Sequence, residues 1–312
     1  ESSQPVDGIT HMAARDIFAC ISKDTEHTYV VRVSFMEIYN EDVFDLLVAS
    51  GADDSGNHRK NGGGGGSGPN RSSSTALDVR EDPKKGFFVE ELTSHRVDNL
   101  DTLLNYLSIG ERHKSMAATE MNDRSSRSHT IFRITVVRTK KFGVGGASGA
   151  AAAKPSGVGV AGNEDGGHAT GKAASHKAGG GAPVKLVATL NLVDLAGSES
   201  VKHTGAIGRR QREAGNISQS LLTLSKVIMG LGNAGKGGKP FVNYRDSKLT
   251  LILKNSLSGH ARMAMICCAT PSGAYSEETK STLQFASRAK LVKTRAAVNK
   301  VNEDPSVITK LQ

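Results

Sequence analysis

Tryptophan is absent from this chain, and with five tyrosines and nine phenylalanines the aromatics make up only 4% of its 312 residues. A basic protein that reads nucleic acid interleaves its cations with stacking rings. No such basic-aromatic motif appears, so no nucleic-acid partner is expected in spite of the positive charge. Cysteine is scarce as well. Cys20, Cys267 and Cys268, two of them adjacent, give neither a disulfide framework nor a metal-ligand spacing. That usage points to a reducing compartment and buried thiols. There is no apolar run of membrane-spanning length, no signal-peptide pattern and no heptad array, so no membrane partner is expected either.

Glycine, by contrast, is plentiful at 35 residues, and lysine and arginine outnumber the acids to give a formal charge of +9. Such a charge suits an acidic partner surface. The glycines collect in two stretches, about 49–75 and about 142–183, whose composition marks flexible insertions. About 240 residues remain to build a core, enough for one large core or two ordinary ones. Three glycine-rich runs invite a phosphate-loop reading and fail it. Gly62 to Gly66 has no strand and helix around it. Gly166 to Lys172 continues with Ala173, and Gly230 to Lys236 with Gly237, where Mg²⁺ chemistry asks for Ser or Thr.

Between the insertions the hydrophobic pattern alternates between helical and strand periods. Thr10 to Ile21 reads as a helix, Val31, Val33 and Phe35 as a strand, and the following EIYNEDVFDLL as a short helical piece. Leu77 to Val97 reads as short strands and turns. Leu100, Leu103, Leu104 and Leu107 share one helical face, opened by Asp98 or Asn99. Phe132, Ile134 and Val136 alternate as a strand. Val201 to Gly215 reads as a basic loop, and Ile217, Leu221, Leu224, Ile228 and Leu231 as the apolar stripe of the helix after it. The run MAMICCA from Met263 fits a central strand buried on both faces, and Phe285, Ala289 and Val292 mark a last helix.

Two segments carry chemistry. Leu190 to Glu199, LNLVDLAGSE, is a strand that ends in Asp194 and turns at Gly197, the build of a nucleotide switch loop at the ligand-binding edge of an α/β sheet. Asn122 to His129, NDRSSRSH, precedes a strand and offers hydroxyls at Ser125, Ser126 and Ser128 for Mg²⁺ or phosphate, with Arg127 as a fixed cation. Together these segments resemble the two switch regions of the kinesin motor domain. NISQSLLTLSKVI from Asn216, YRDSKLT from Tyr244, STLQFASRAKLVK from Ser281 and VSFMEIYNEDVFDLL from Val33 extend the resemblance over nearly the whole chain outside the insertions. The wording is most similar to the centromere-associated kinesins and their plant and algal relatives.

The resemblance implies an α/β fold of the P-loop NTPase-like kinesin type, with a central mostly parallel or mixed sheet and helices on both faces. It implies ATP and Mg²⁺ as ligands and microtubules, hence tubulin, as the partner. Residues 1–293 would be a partial motor domain, 294–304 the neck linker and 305–312 the start of the neck helix. A downstream coiled coil would make the full-length protein a homodimer, with this fragment a monomer. By the same resemblance Asn122, Ser125, Ser126, Asp194 and Gly197 would bind nucleotide. Ser126 and Asp194 would hold Mg²⁺, the latter through water. Ser125, Arg127, Gly197 and Glu199 would serve catalysis, Arg127 and Glu199 as a closing ion pair. Lys202, Arg209, Arg210, Arg212, Asn216, Tyr244, Arg245 and Lys248 would face the microtubule lattice; the family's Arg after the YRDSKLT threonine is Leu251 here. The family's G-Q-T-x-x-G-K-T phosphate loop and the first strands before it have no counterpart in these residues. The expectation is therefore an N-terminally truncated motor domain of the cytoplasmic cytoskeleton, plus-end directed when intact and inactive as an ATPase by itself. The alternative is a nucleotide-independent microtubule-binding module.

Overall fold

The computed structural model describes residues 7–48, 75–83, 86–120, 124–141, 185–198, 209–233 and 242–301. Both glycine-rich stretches lie almost wholly outside these residues.

The longest strand sets the architecture. β1 (His27–Tyr39) is rich in β-branched and aromatic residues, which fit a pleated surface. Val31, Val33 and Phe35 enter one core, and Met36 and Ile38 enter another on the opposite side of the sheet. β1 continues through a two-residue turn into β2 (Asp42–Asp45), with Tyr39 opposite Asp42. The EIYNEDVFDLL segment is thus a hairpin and not the expected helical piece. Asn40 and Glu41 both adopt positive φ, 55° and 64°, which gives the turn the twist of its flanking strands. Asp45 is buried and accepts hydrogen bonds from the Leu47 amide and from both the amide and hydroxyl of Thr93.

With β3 (Val79–Asp82), β4 (Gly86–Val89), β5 (His95–Val97), β6 (His129–Lys140), β7 (Lys185–Asp194) and β8 (Lys300–Val301), the main sheet runs β2-β1-β6-β7-β8, and β5 pairs with β1 beside β2. β3 and β4 form a separate hairpin. Every described pairing is antiparallel, so any parallel portion of a mixed sheet lies outside the described residues.

Helices cover both faces. α1 (Ile9–Lys23) and α2 (Leu100–Glu120) pack over Val33, Phe35, Phe132 and Ile134. Asn99 caps α2, its Oδ1 accepting from the Thr102 amide at 2.8 Å. α3 (Arg124–Arg127) is one turn before β6. On the other face lie α4 (Arg209–Asn233), α5 (Lys248–Ile252), α6 (Lys254–Leu257) and α7 (Ser276–Ala289), with Leu224, Val227, Ile228, Leu249 and Leu253 against Met36, Ile38 and Ile131. α4 begins seven residues earlier than its apolar stripe suggests, so Arg209 to Gly215 is helix and not loop.

Two expectations fail at the C-terminal side. MAMICCA, from Met263, forms no strand: Ile266 is 72% exposed, because a strand buried on both faces needs a partner on each edge. Nor are the thiols buried: Cys20 on α1 and Cys268 are exposed, and Cys267 is half-buried. After α7 the chain is mostly exposed and held by backbone bonds. The Arg295 and Ala297 amides donate to the Gly259 and His260 carbonyls, and the Val187 amide donates to Asn299 just before β8. No helix among the described residues is long and apolar enough to cross a membrane.

Candidate functional site

β6 and β7 pair so that Thr130 lies opposite Asp194, which brings the turn before β6 and the loop after β7 to the same end of the sheet. The two sequence-predicted switch segments therefore meet. The Gly197 amide donates to the Ser126 carbonyl at 2.9 Å, a direct bond between them. While that bond stands, the Gly197 N–H is engaged by protein and not open to a phosphate.

Asp194 is held out at the edge, its side chain 77% exposed, and Lys114 of α2 approaches it at 3.4 Å. The lysine stem is largely covered, so its ammonium is presented to Asp194 from a fixed direction. Ser126 is also exposed. A carboxylate and a hydroxyl, both oxygen donors, at one solvent-open edge fit Mg²⁺, which keeps several waters and takes few protein ligands. Among the described residues no group of three His, Cys, Asp or Glu could hold a metal by itself, which leaves this sparse oxygen site as the one the sequence motif indicates. Ser128 is different from its neighbours: it is buried and its Oγ has no hydrogen-bond partner among the described residues, so it is withdrawn from any ligand.

His129 joins three elements at the back of this site. Its Nδ1 accepts from the Ala196 amide at 2.8 Å, and its Nε2 lies 2.7 Å from Ser220 Oγ on α4. An acceptor role at Nδ1 requires the proton on Nε2, which donates to Ser220, whose hydroxyl donates in turn to the Ile217 carbonyl at 2.7 Å. Burial pushes the imidazole down to about pKa 4, partly opposed by the charge of Asp194, so the ring is neutral at pH 7.

Arg127 is half-buried and lines a small cleft with Asn40, Glu41, His129 and Asn216. The hairpin turn above this cleft grips both neighbouring helices. Asn40 Oδ1 accepts from Asn216 Nδ2 at 2.7 Å, and the Glu41 carboxylate accepts from Ser247 Oγ and the Lys248 amide at the start of α5.

The candidate lattice residues divide. Arg245 is exposed, paired with Glu81 and stacked over Phe87, with its carbon centre 5.6 Å from the ring. Lys254 approaches the same ring at 4.7 Å. Lys248 lies 3.9 Å from Asp42. Tyr244 is half-buried and packs against the α4 core, and its carbonyl accepts from Thr250 Oγ1. Arg209, Arg210 and Arg212 occupy the first turns of α4, and Ser125 lies in α3. Asn122, Glu199 and Lys202 lie outside the described residues, so the Arg127–Glu199 pair is not visible here. Lys114, Ser220 and Asn40 were not anticipated. Lys114 carried a signal, standing late on the helix that leads into the Ser-rich segment; the other two are brought in only by long-range packing.

The family model for the kinesin motor domain matches residues 1–292. Kinesin-like protein KIN-7J of Oryza sativa subsp. japonica is 36% identical over 307 residues, 98% of this chain and 28% of that protein. Kinesin-like protein KIN-7A of Arabidopsis thaliana is 35% identical over 98% of the chain and 25% of its own length, and Centromere-associated protein E of Homo sapiens 36% over 96% and 9%. The chain thus spans about a quarter or less of these relatives. Among solved structures, a two-heads-bound KIF14 dimer with AMP-PNP, in complex with a microtubule, aligns over 98% of this chain and 70% of its own at TM-score 0.69 and 33% identity. A fast kinesin aligns over 95% and 66% at TM-score 0.66 and 32% identity.

Proposed function

The chain belongs to the kinesin motor-domain family, and from that premise we propose that it carries the switch-bearing and microtubule-facing part of an ATP-driven, plus-end-directed motor of the cytoplasmic cytoskeleton. The observation that carries this reading is the meeting of the two switch segments, with Gly197 bonded to Ser126 beside Asp194. Ser126 and Asp194 would hold Mg²⁺, and Asn122, Ser125 and Gly197 would face the nucleotide. Arg127 and Glu199 would pair to order the attacking water. Bound Mg²⁺ would supply charge neutralisation at the phosphates. For Gly197 to reach a phosphate its amide must leave Ser126, so nucleotide recognition and the contact between switches exclude one another at that donor.

Arg245 and Lys248 would meet acidic tubulin, exchanging Glu81 and Asp42 for partner carboxylates. Residues 1–293 act as the motor portion, 294–304 as neck linker and 305–312 as the start of a neck helix; full-length protein dimerises through sequence beyond it. The 312 residues contain no G-x-x-x-x-G-K-[ST], and the outer edge of β7 carries no strand among the described residues from Ala188 to Asp194. Both facts favour a second reading for the chain by itself, nucleotide-independent microtubule binding, since phosphate positioning rests on that loop.

Microtubule co-sedimentation with and without AMP-PNP, run beside phosphate release, tests both. The chain is expected to pellet with microtubules regardless of nucleotide, to release salt-sensitively, and to turn over no faster than buffer. Arg245→Glu with Lys248→Glu is expected to weaken pelleting about tenfold or more. No pelleting at low salt would sink the motor reading, and stimulated phosphate release would sink the claim that these residues lack an engine.

A further inference from the structure

We propose that His129 is a positioning residue that mechanically joins the second switch loop to α4, so that displacement of Ala196 is passed through one imidazole to Ser220. The proposal deepens the motor reading and rests on it for its functional meaning, but its physical content stands on three bonds. The Ala196 amide donates to Nδ1, Nε2–H donates to Ser220 Oγ, and Ser220 donates to the Ile217 carbonyl. All of the side chains are sealed from water: His129 and Ser220 are each 2% exposed, and Ala196 is 6%. Water therefore cannot replace a broken link, and each lost bond leaves a buried polar group unsatisfied.

The chain of donors has one direction. Nδ1 must accept because its partner is a backbone N–H, and this fixes the tautomer and leaves Nε2 to donate. A doubly protonated ring would set N–H against N–H at Ala196, so the link works only with neutral imidazole. Its position strengthens the case. Ala196 is two residues from Asp194 and adjacent to Gly197, the residue whose amide is bonded to Ser126. When Gly197 leaves Ser126, the neighbouring Ala196 amide is the nearest fixed point of the loop, and its only described acceptor is a ring whose far side holds α4. Ser220 stands one turn beyond Asn216, which is itself held by Asn40 of the hairpin turn. At Asn216 and Ser220, α4 thus hangs from two points, one on the hairpin turn and one attached to the switch loop.

The test is amide-resolved hydrogen exchange on the 312-residue chain, with nitrogen NMR of the ring. Ser220→Ala leaves the imidazole in place and removes only its far acceptor. It is expected to speed exchange of the Ala196 amide about fivefold, since opening then breaks fewer coupled bonds. The same substitution on a His129→Asn background, where the amide oxygen can stand near Nδ1 but nothing reaches α4, is expected to add nothing. His129→Asn is expected to retain protection at Ala196 that His129→Phe loses. NMR of the unaltered chain is expected to show a protonated Nε2 and a bare Nδ1. Ala196 exchange that ignores Ser220→Ala, or a proton found on Nδ1, overturns the proposal. Because these readouts need neither nucleotide nor microtubules, a failure of the chain to pellet with microtubules would count against the motor reading alone.

Discussion

β1 and β7 belong to one sheet and have similar apolar sequences, yet they end in different environments. β1 is paired on both edges, and from Val33 to Ile38 every residue is buried. β7 pairs with β6 along its full length, but among the described residues its other edge meets only β8 and Asn299, at its first three residues. Leu190, Val193 and Leu195 each stay 38% exposed. The difference teaches that apolar pattern supplies a strand's potential, while burial is decided by what lies on each edge. Where β1 sits, the hairpin turn, the two predicted switch segments and helices α4 and α5 are tied together. Beyond β7 the same kind of sequence stands without a partner among the described residues.

The largest expected effect falls inside the paired half. Phe132 meets Phe35 edge-on at 5.2 Å in the core under α1 and α2, and Phe132→Ala should cost about 3–5 kcal/mol through lost burial and the cavity left behind. Urea unfolding measures it. A cost below about 1 kcal/mol would erase the distinction between the two halves.

Acid should act on the same half by a known route. His129 titrates near 4 when folded and near 6.5 when unfolded, so between those values the unfolded chain binds more protons. The stabilisation is complete above pH 6.5 and is lost as pH falls toward 4, by about 3 kcal/mol. Unfolding midpoints taken across that window should fall with pH, and His129→Asn should flatten the slope. An unchanged slope in that variant would assign the acid sensitivity to other groups.

A smaller test concerns the spacing of α2 over β1. A Cβ built on Gly110 would stand 2.2 Å from Phe35 Cδ1, and nothing about the sequence announces that close approach. Gly110→Ala should cost about 1–3 kcal/mol by overpacking, in spite of its gain in helix propensity. A neutral result would mean the ring of Phe35 can turn aside without cost.

What was legible in the sequence follows the same division. The α2 face, the α4 stripe and the two switch motifs were readable because period and residue type are local properties. The hairpin at Asn40 was missed because Asn-Glu is a weak turn signal, and a helical reading of VFDLL fits equally well until β1 is known to continue to Tyr39. The strand expected at MAMICCA failed because its buried state depends on neighbours that no local pattern specifies. His129 was visible as the end of a motif, but its bonds to Ala196 and Ser220 span 67 and 91 residues and belong to the packed state.

The smallest expected effect falls beyond β7 and is the most informative about it. Ile266 has two polar-solvent-facing sides and no strand ladder around it, so Ile266→Ser should change the stability of this chain by no more than about 0.5 kcal/mol. The same substitution would cost about 2–4 kcal/mol if the segment were covered, because a hydroxyl would then replace a packed side chain in a dry site. Urea unfolding of the variant alone therefore reports whether Met263 to Ala269 is exposed, and repeating it beside any added strand-bearing segment reports whether that segment docks there. A null effect that becomes a large one on addition would convert the open half into a copy of the closed one.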